Sequence, residues 1–505
     1  MKKTIFIKNA AILTASSLIL RFIGIVFKVW LAGKIGSEGI GLYQLTFSVY
    51  VLASTFATSG ICTAVTRMVA NEIAMGSESG VKRILKRSIF LSLIIAFLTV
   101  IVLYFGADFI AGTLLGDSRA TAAIKILSFS LPFMAVSSVI KGYFFARRKA
   151  SQGAISQLLE QAVRIGVILV YIKLFEGRGL AFTCAAVLLG DTVAEGFALL
   201  VLWLMYIKDA KRLKGLKTTA FNTGVTRNII RIALPITSGR YLNSFLRTAE
   251  NILVPKTLSH FSGSGANALS QFGMIKGMAL PLLFFPSTLL NALSTLLVPE
   301  MSESMALGRR GLVKYGTARI LQLTALVSFI FSAIFFVGGR ELGLLFYKDK
   351  DVGILLRLLA PLVPLMYLDS ISDGILKGLD QQNFTFITSV TDSAMRIALI
   401  LLILKTRGLL GFIGIMYFSN IYTCFLHVGR LLKISGARLK FIKQIFMPIA
   451  FAFAFTLFTD TILRPMGLSN LVYIILLTVI SGFAYFLYLF LTKTVTVDDI
   501  KDIIK

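Results

Sequence analysis

Fourteen apolar runs of about 20 residues or more follow one another along the chain. They lie near 10–31, 41–65, 88–112, 122–146, 154–175, 180–207, 229–255, 268–296, 315–338, 353–377, 384–405, 409–432, 443–463 and 470–492. A run of that length is what an α-helix needs to cross about 30 Å of hydrocarbon. Inside a bilayer the backbone satisfies its polar groups only as a helix or a closed barrel. The pattern predicts an all-α polytopic membrane protein with 14 transmembrane helices. Composition agrees, because 56% of the 505 residues are hydrophobic and only 15% are charged, which excludes an ordinary soluble domain. The start, MKKTIFIKNAAILTASSLIL, has the basic beginning of a signal peptide, yet the apolar stretch runs on through Arg21 to Leu31 with no A-x-A cleavage signal. It reads as an uncleaved first span in the cell membrane.

Lys and Arg sort by alternate connections, concentrating at the N-terminus, after the even-numbered spans and in the C-terminal tail. The positive-inside rule then places both termini in the cytoplasm. Topology and anionic inner-leaflet lipid account for most of the +28 net charge, so nucleic-acid binding is not implied. The basic connection Lys208 to Arg227 falls between spans 6 and 7, divides the chain into comparable halves, and reads as a linker on the cytoplasmic membrane surface. A shift of 232 residues superposes Gly76 on Gly308, Arg87 on Arg319, Pro132 on Pro364, Ser138 on Ser370, Glu160 on Asp392 and Arg164 on Arg396. This implies a duplicated unit. The expected organisation is an N-lobe at 1–207, the linker at 208–227, a pseudo-symmetric C-lobe at 228–433, and two added helices with a tail at 434–505. The in-span prolines Pro132, Pro235, Pro281, Pro286 and Pro364 are the candidate hinges.

Charged residues inside spans are expensive and mark a polar pathway or a packed ion pair. In the stretch TSGRYLNSFLRTAENILVP, Arg240, Arg247 and Glu250 fall within about 80° of one another around a helix. Glu250 follows Arg247 closely enough to neutralise it, whereas Arg240 has no such partner in its own helix. Arg21 and Lys28 of the first span share the spacing of Arg240 and Arg247, so each lobe opens with a cationic stripe. Glu160 with Arg164, and Asp392 with Arg396, are i,i+4 pairs expected to be structural. Asp191 and Glu195 are like charges one turn apart in span 6, a spacing that suits a proton or sodium site coupled to transport. Pairing with Arg21 or Lys28 is the other reading. Asp369 and Asp373 are gate candidates, expected to pair with basic loop residues. Cys62, Cys184 and Cys424 lie in separate runs, and with two histidines, His260 and His427, neither a disulfide framework nor a metal site is suggested. His427 reads as a packed or snorkelling side chain.

The start RFIGIVFKVWLAGKIGSEGIGLYQL, the run ALSQFGMIKGMALPLLFFPSTLLNALSTLLVPEMSE and the acid-x-x-x-Arg-Ile helix that follows KG resemble the polysaccharide-transporter branch of the multidrug/oligosaccharidyl-lipid/polysaccharide (MOP) exporters. Within it the likeness is to the stage V sporulation protein B-like and MurJ-like lipid II flippases. The resemblance implies two six-helix lobes that alternate between inward-facing and outward-facing states and carry an undecaprenyl-diphosphate-linked glycan to the outer leaflet. It implies no cofactor and no catalysis. Arg21 matches the family's cavity-lining arginine of the first span, whereas Lys28 stands where Arg is usual; Lys276 and Arg67 are further cations for the diphosphate. The expected partners are the lipid-linked glycan, the bilayer and a cell-wall synthase, with the chain acting as a monomer. A cation-coupled multidrug antiporter is the alternative, and a membrane enzyme finds no supporting constellation of His or paired acids on the short external loops.

Overall fold

The computed structural model describes residues 2–58, 60–174, 179–211, 224–438 and 445–494, so most of the basic linker and the tail lie outside the described residues. Among the described residues the fold is all-helical. Nine helical stretches there are long and apolar enough to cross a membrane, or ten when the bent pair 120–128 and 131–146 counts as one span. Two of the nine, Ala15–Ala74 and Gln382–Ser435, contain 60 and 54 residues. At 1.5 Å per residue each is more than twice as long as one crossing needs. Both are broken at a glycine, Gly36 (φ 69°, ψ 179°) and Gly408 (φ 53°, ψ −137°), in backbone regions that a Cβ disfavours.

The chain divides into two compact units, one of residues 1–27 and 38–270, the other of 28–37 and 271–505. The first carries α1 (Lys2–Thr58), α2 (Ile61–Ala74), α3 (Glu78–Phe109), α4 (Ala120–Ser128), α5 (Leu131–Ala146), α6 (Ala150–Leu174), α7 (Leu180–Ala210) and α8 (Val225–Ser262). After α9 (Gly265–Gly273), the second carries α10 (Leu280–Phe284), α11 (Ser287–Ala306), α12 (Arg310–Tyr347), α13 (Lys350–Leu359), α14 (Val363–Gly378), α15 (Gln382–Ser435), α16 (Met447–Leu463) and α17 (Asn470–Leu491). Pro132 and Pro364 stand in the first turns of α5 and α14, and Pro281 in that of α10. Only Pro132 follows a break in the helix, where a missing N–H costs little; Pro281 and Pro364 follow directly on the π-helical turn 274–279 and the 3-10 turn 360–362, and so lie, like Pro235 of α8, inside continuous helical runs.

The 232-residue repeat is visible in the backbone. Helix α3 with its π-helical end spans 78–115 and α12 spans 310–347; α5 spans 131–146 and α14 spans 363–378. The residues with positive φ repeat at the same shift, as Gly76 and Gly308, Gly116 and Lys348, and Arg148 and Asp380. Equivalent turns therefore end equivalent helices even where the glycine has been replaced.

In the first unit α2, α3, α5 and α7 share a core that includes Val65, Val81, Ile84, Val139, Phe144 and Leu202. Helix α8 lies against α2 and α3 through Ala64, Ile229 and Ala233. Further along, its Thr248 and Asn251 donate to the Ser48 carbonyl and Oγ of α1 at 3.1 and 3.0 Å. In the second unit α12 is the central helix, packing Ala325, Phe329 and Ala333 against Ala452 of α16 and Tyr485 and Leu489 of α17. As a result 78% of the apolar stretch of α12 is buried, against 17% in its repeat mate at 78–115, which has no such cover within its unit.

One polar clamp closes the first unit. Asp209 at the end of α7 accepts from Tyr143 Oη at 2.8 Å and Arg147 Nε at 3.1 Å, and bonds Lys149. These donors all come from α5 and the turn after it. Removing a shared acceptor strands the buried Tyr143 hydroxyl and two half-buried cations, so Asp209→Ala is expected to lower unfolding stability in detergent by about 3 kcal/mol. Denaturant titration of the purified protein beside Asp209→Asn checks this; a loss within error of zero would mean the clamp carries no stability.

Candidate functional site

The acid-x-x-x-Arg motif of α6 meets the two acids of α7 in a buried network. Arg164 donates to Glu160 Oε1 at 2.7 Å and to Gln161 Oε1 at 2.9 Å, and its Nε lies 2.7 Å from Asp191 Oδ1. The i,i+4 pair read from the sequence is thus formed, and the guanidinium also serves Asp191 across the helix interface. Asp191 therefore pairs with neither Arg21 nor Lys28. It is 4% exposed, and its Oδ2 has no hydrogen-bond partner among the described residues. Glu195, one turn on, is 8% exposed, and among the described residues it makes no hydrogen bond or ion pair. Two carboxylates, Glu160 and Asp191, thus share one guanidinium in contact, and a third, Glu195, lies nearby without a direct partner, with Lys141 of α5 adding attraction. A buried carboxylate without a partner is costly, so the site has room in its charge balance for a proton or a small cation. Among the described residues no three His, Cys, Asp or Glu side chains are placed to hold a metal together.

The second feature is a cavity of about 700 Å³ framed by α2, α3 and α8. Arg67, Asn71 and Glu72 enter it from α2, and Asn228, Arg231 and Pro235 from α8. Among the described residues neither Arg67 nor Arg231 has an ion-pair partner. Two guanidiniums and two carboxamides against one carboxylate, Glu72, leave the space with an excess of donors suited to an anionic oxygen cluster, and Arg can grip such a group bidentately. Arg67 was singled out by sequence; Arg231 was not. It sits nine residues before Arg240, about 180° around the helix, and so falls outside the stripe that drew attention.

The other candidates are dispersed. Arg21, Arg240 and Arg247 are exposed and make no ion pair among the described residues. The Arg247–Glu250 pair expected from spacing is not formed, because Glu250 turns inward to 4% exposure while Arg247 stays outside. Lys28 is half-buried, and Lys276 lies 5.9 Å from the Phe412 ring centroid. Asp392 accepts from Ser419 Oγ at 2.6 Å. Asp373 pairs with Lys377 of its own helix at 2.5 Å, and Asp369 meets His427 Nδ1 at 2.8 Å. Among the described residues neither of these acids takes a loop cation as partner. That His427 bonds an acid was missed because a lone histidine in an apolar run carries no spacing signal; the acid comes from another helix.

Residues 6–305 match the family described as polysaccharide biosynthesis protein. Stage V sporulation protein B of Bacillus subtilis (strain 168) is 30% identical over 417 residues, covering 82% of this chain and 80% of the relative. Among solved structures, the lipid II flippase MurJ in an inward closed conformation superposes with a TM-score of 0.70 at 14% identity, over 95% of this chain and 99% of that one. An inward-facing multidrug resistance MATE family transporter of the MOP superfamily superposes with a TM-score of 0.63 at 13% identity, over 83% and 98%. The family match over more than half the chain and the sporulation-protein likeness over most of it leave one assignment: the chain belongs to the polysaccharide biosynthesis protein family.

Proposed function

We propose that the protein is an alternating-access flippase that moves an undecaprenyl-diphosphate-linked glycan from the inner to the outer leaflet. The peptidoglycan precursor lipid II, for spore cortex, is the substrate this reading favours. The observation that carries it is the set of arginines in helices of a membrane transporter that no acid neutralises: Arg21, Arg67, Arg231, Arg240 and Arg247 make no ion pair among the described residues. An uncompensated guanidinium at membrane depth is retained where something polar and anionic passes. A diphosphate headgroup is such a ligand, and Arg supplies it with planar, paired donors. Lys28 and Lys276 are the further cations assigned to it, as point charges without that geometry.

Fourteen spans remain the proposed topology, with cytoplasmic termini. Taking each of the two overlong helical stretches as two crossings, and adding α8 and the broken run 265–306, reaches that number from the ten apolar candidates. The lobes at 1–207 and 228–433 are proposed on the coincidence of helix limits and left-handed turns at the 232-residue shift. Asp369 and Asp373 are retained as gate residues. No catalytic role is assigned, no cofactor is invoked, and a monomer with a cell-wall synthase neighbour is the working assembly.

The MATE likeness supports a second reading, cation-coupled export of multidrug type, and the observation in its favour is the buried carboxylate of Glu195. The two readings make different demands on the same protein. In proteoliposomes with fluorescent lipid II, Arg67→Ala and Arg231→Ala are each expected to lower transfer to the far leaflet by about tenfold or more, since a charged hydrogen bond contributes about 1.5–3 kcal/mol. Transfer unchanged in both would remove the diphosphate from this cavity; transfer absent in the unmodified protein, with efflux of a cationic dye present, would select the antiporter. Glu195→Gln, which keeps shape and removes the ionisable group, is expected to abolish dependence on an imposed proton or sodium gradient while leaving lipid II binding intact. Gradient dependence that survives the substitution would show that Glu195 is not the coupling group.

A further inference from the structure

The cavity framed by α2, α3 and α8 holds an acid that does not neutralise it. Arg67, Asn71 and Glu72 line it from α2, and Asn228 and Arg231 from α8, yet among the described residues neither arginine forms an ion pair with Glu72 or with any other acid. A carboxylate and two guanidiniums around one space would normally find each other, since a charge-assisted contact is the strongest hydrogen bond open to them. Something therefore holds Glu72 aside, and the turn between α2 and α3 shows what it is.

Helix α2 closes on Met75, Gly76 turns the chain at φ 71°, and the Ser77 N–H donates to the Glu72 carbonyl at 2.9 Å. The first turn of α3 is thereby laid against the last turn of α2. Ser77 caps α3, its Oγ accepting from the Gly80 N–H at 3.1 Å. In a capping box the residue three after the cap is Glu or Gln. Here it is Gly80, and the carboxylate comes instead from Glu72 of the preceding helix. A Cβ built on Gly80 would stand 1.9 Å from Glu72 Oε2, 2.5 Å from its Cδ and 2.7 Å from Ser77 Oγ, all well inside van der Waals contact. Gly80 is not among the glycines with positive φ, so its backbone is open to any residue, and a glycine inside a helix is otherwise unfavourable. What glycine supplies here is room. That room lies over the first turn of a 32-residue helix, where the N–H groups and the macrodipole favour a negative charge. The other acid there, Glu78, is held by Lys82 of α3.

We propose that Gly80 is a positioning residue for the cavity: it opens a berth at the start of α3 that keeps the Glu72 carboxylate off Arg67 and Arg231, so that both guanidiniums meet an incoming diphosphate and not an internal acid. The inference rests on the reading of this cavity as a diphosphate site and adds the device that keeps the site open. Glu72 is the cavity's built-in competitor. In the berth its charge is answered by α3; displaced, it turns into the space that it already lines, where Arg67 and Arg231 are the cations the ligand needs. Gly80 acts only through Glu72, so a substitution at either position is felt according to what stands at the other.

Calorimetric binding of inorganic diphosphate to the whole chain in detergent tests this. Gly80→Ala is expected to weaken binding about tenfold or more, the worth of one charged hydrogen bond given to the competing carboxylate. Glu72→Gln is expected to tighten binding by about threefold in the unmodified protein and by about tenfold or more in Gly80→Ala. Glu72→Asp keeps the charge but is one methylene too short for the berth, so it weakens binding as Gly80→Ala does, and it decides the matter if Gly80→Ala does not fold. Equal effects of Glu72→Gln in the two backgrounds, or a Glu72→Asp protein that binds as the unmodified one does, would overturn the proposal. A second arm needs no ligand. Unfolding stability is measured for Glu72→Gln combined with Arg67→Gln or with Arg231→Gln, and coupling between acid and arginine is expected only where Gly80→Ala, or Glu72→Asp in place of Glu72, has closed or vacated the berth. Coupling absent throughout refutes the berth. Coupling that appears as expected in a protein that binds no diphosphate upholds the berth and counts against the diphosphate reading alone.

Discussion

Putting an ionised side chain into a helix that must lie in hydrocarbon is the constraint on which the rest of this molecule turns. The chain answers it in three ways. Arg164 is neutralised on the spot by Glu160 and Asp191, in a buried knot that holds α6 to α7. Asp209 gathers Tyr143, Arg147 and Lys149 at the end of the same helix. Arg67, Arg231, Arg240 and Arg247 are left without acids among the described residues, and it is this failure to pair that sets them apart from the charges that hold helices together. A count of charged residues would not make the distinction; the partner of each residue does.

The helical class and the broad span pattern were legible because hydropathy is a property of single residues summed along the chain. So was the repeat: two prolines, two acid-x-x-x-Arg motifs and paired glycines at one shift were enough, and the structure adds left-handed turns at Lys348 and Asp380 that no identity search reveals. Pairing inside one helix was legible for Glu160 and Arg164, where i,i+4 spacing suffices. It misled for Arg247 and Glu250, since angular proximity on a helix does not say which of two residues the neighbouring helices will bury. Pairing between helices was not legible. Nothing local joins Asp369 to His427, 58 residues away, or Asp191 to Arg164, and Arg231 went unnoticed because attention to one helical face hides the opposite one.

The two buried acid sites divide the work of charge balance differently. In the first unit Arg164 stands against three carboxylates, so the permanent charges leave an excess that a proton or a small cation can fill. In the second unit the corresponding Asp392 accepts from Ser419, and Asp369 of α14 bonds His427 Nδ1. Duplication is plain in the backbone, while Asp191 pairs with Arg164 in the first unit and Asp369 with His427 in the second.

Helices α16 and α17 have a consequence for how the duplicated copies can change with time. They bury the apolar stretch of α12, whereas within the first unit the matching stretch of α3 keeps most of its surface uncovered. A side chain facing lipid tails is constrained by its affinity for hydrocarbon, and many shapes satisfy that. A side chain packed between helices must also fill a fixed volume, where a gain or loss of one methylene is felt. Helix α12 is therefore held to shape and α3 only to hydropathy, so two helices that began as copies evolve under different rules.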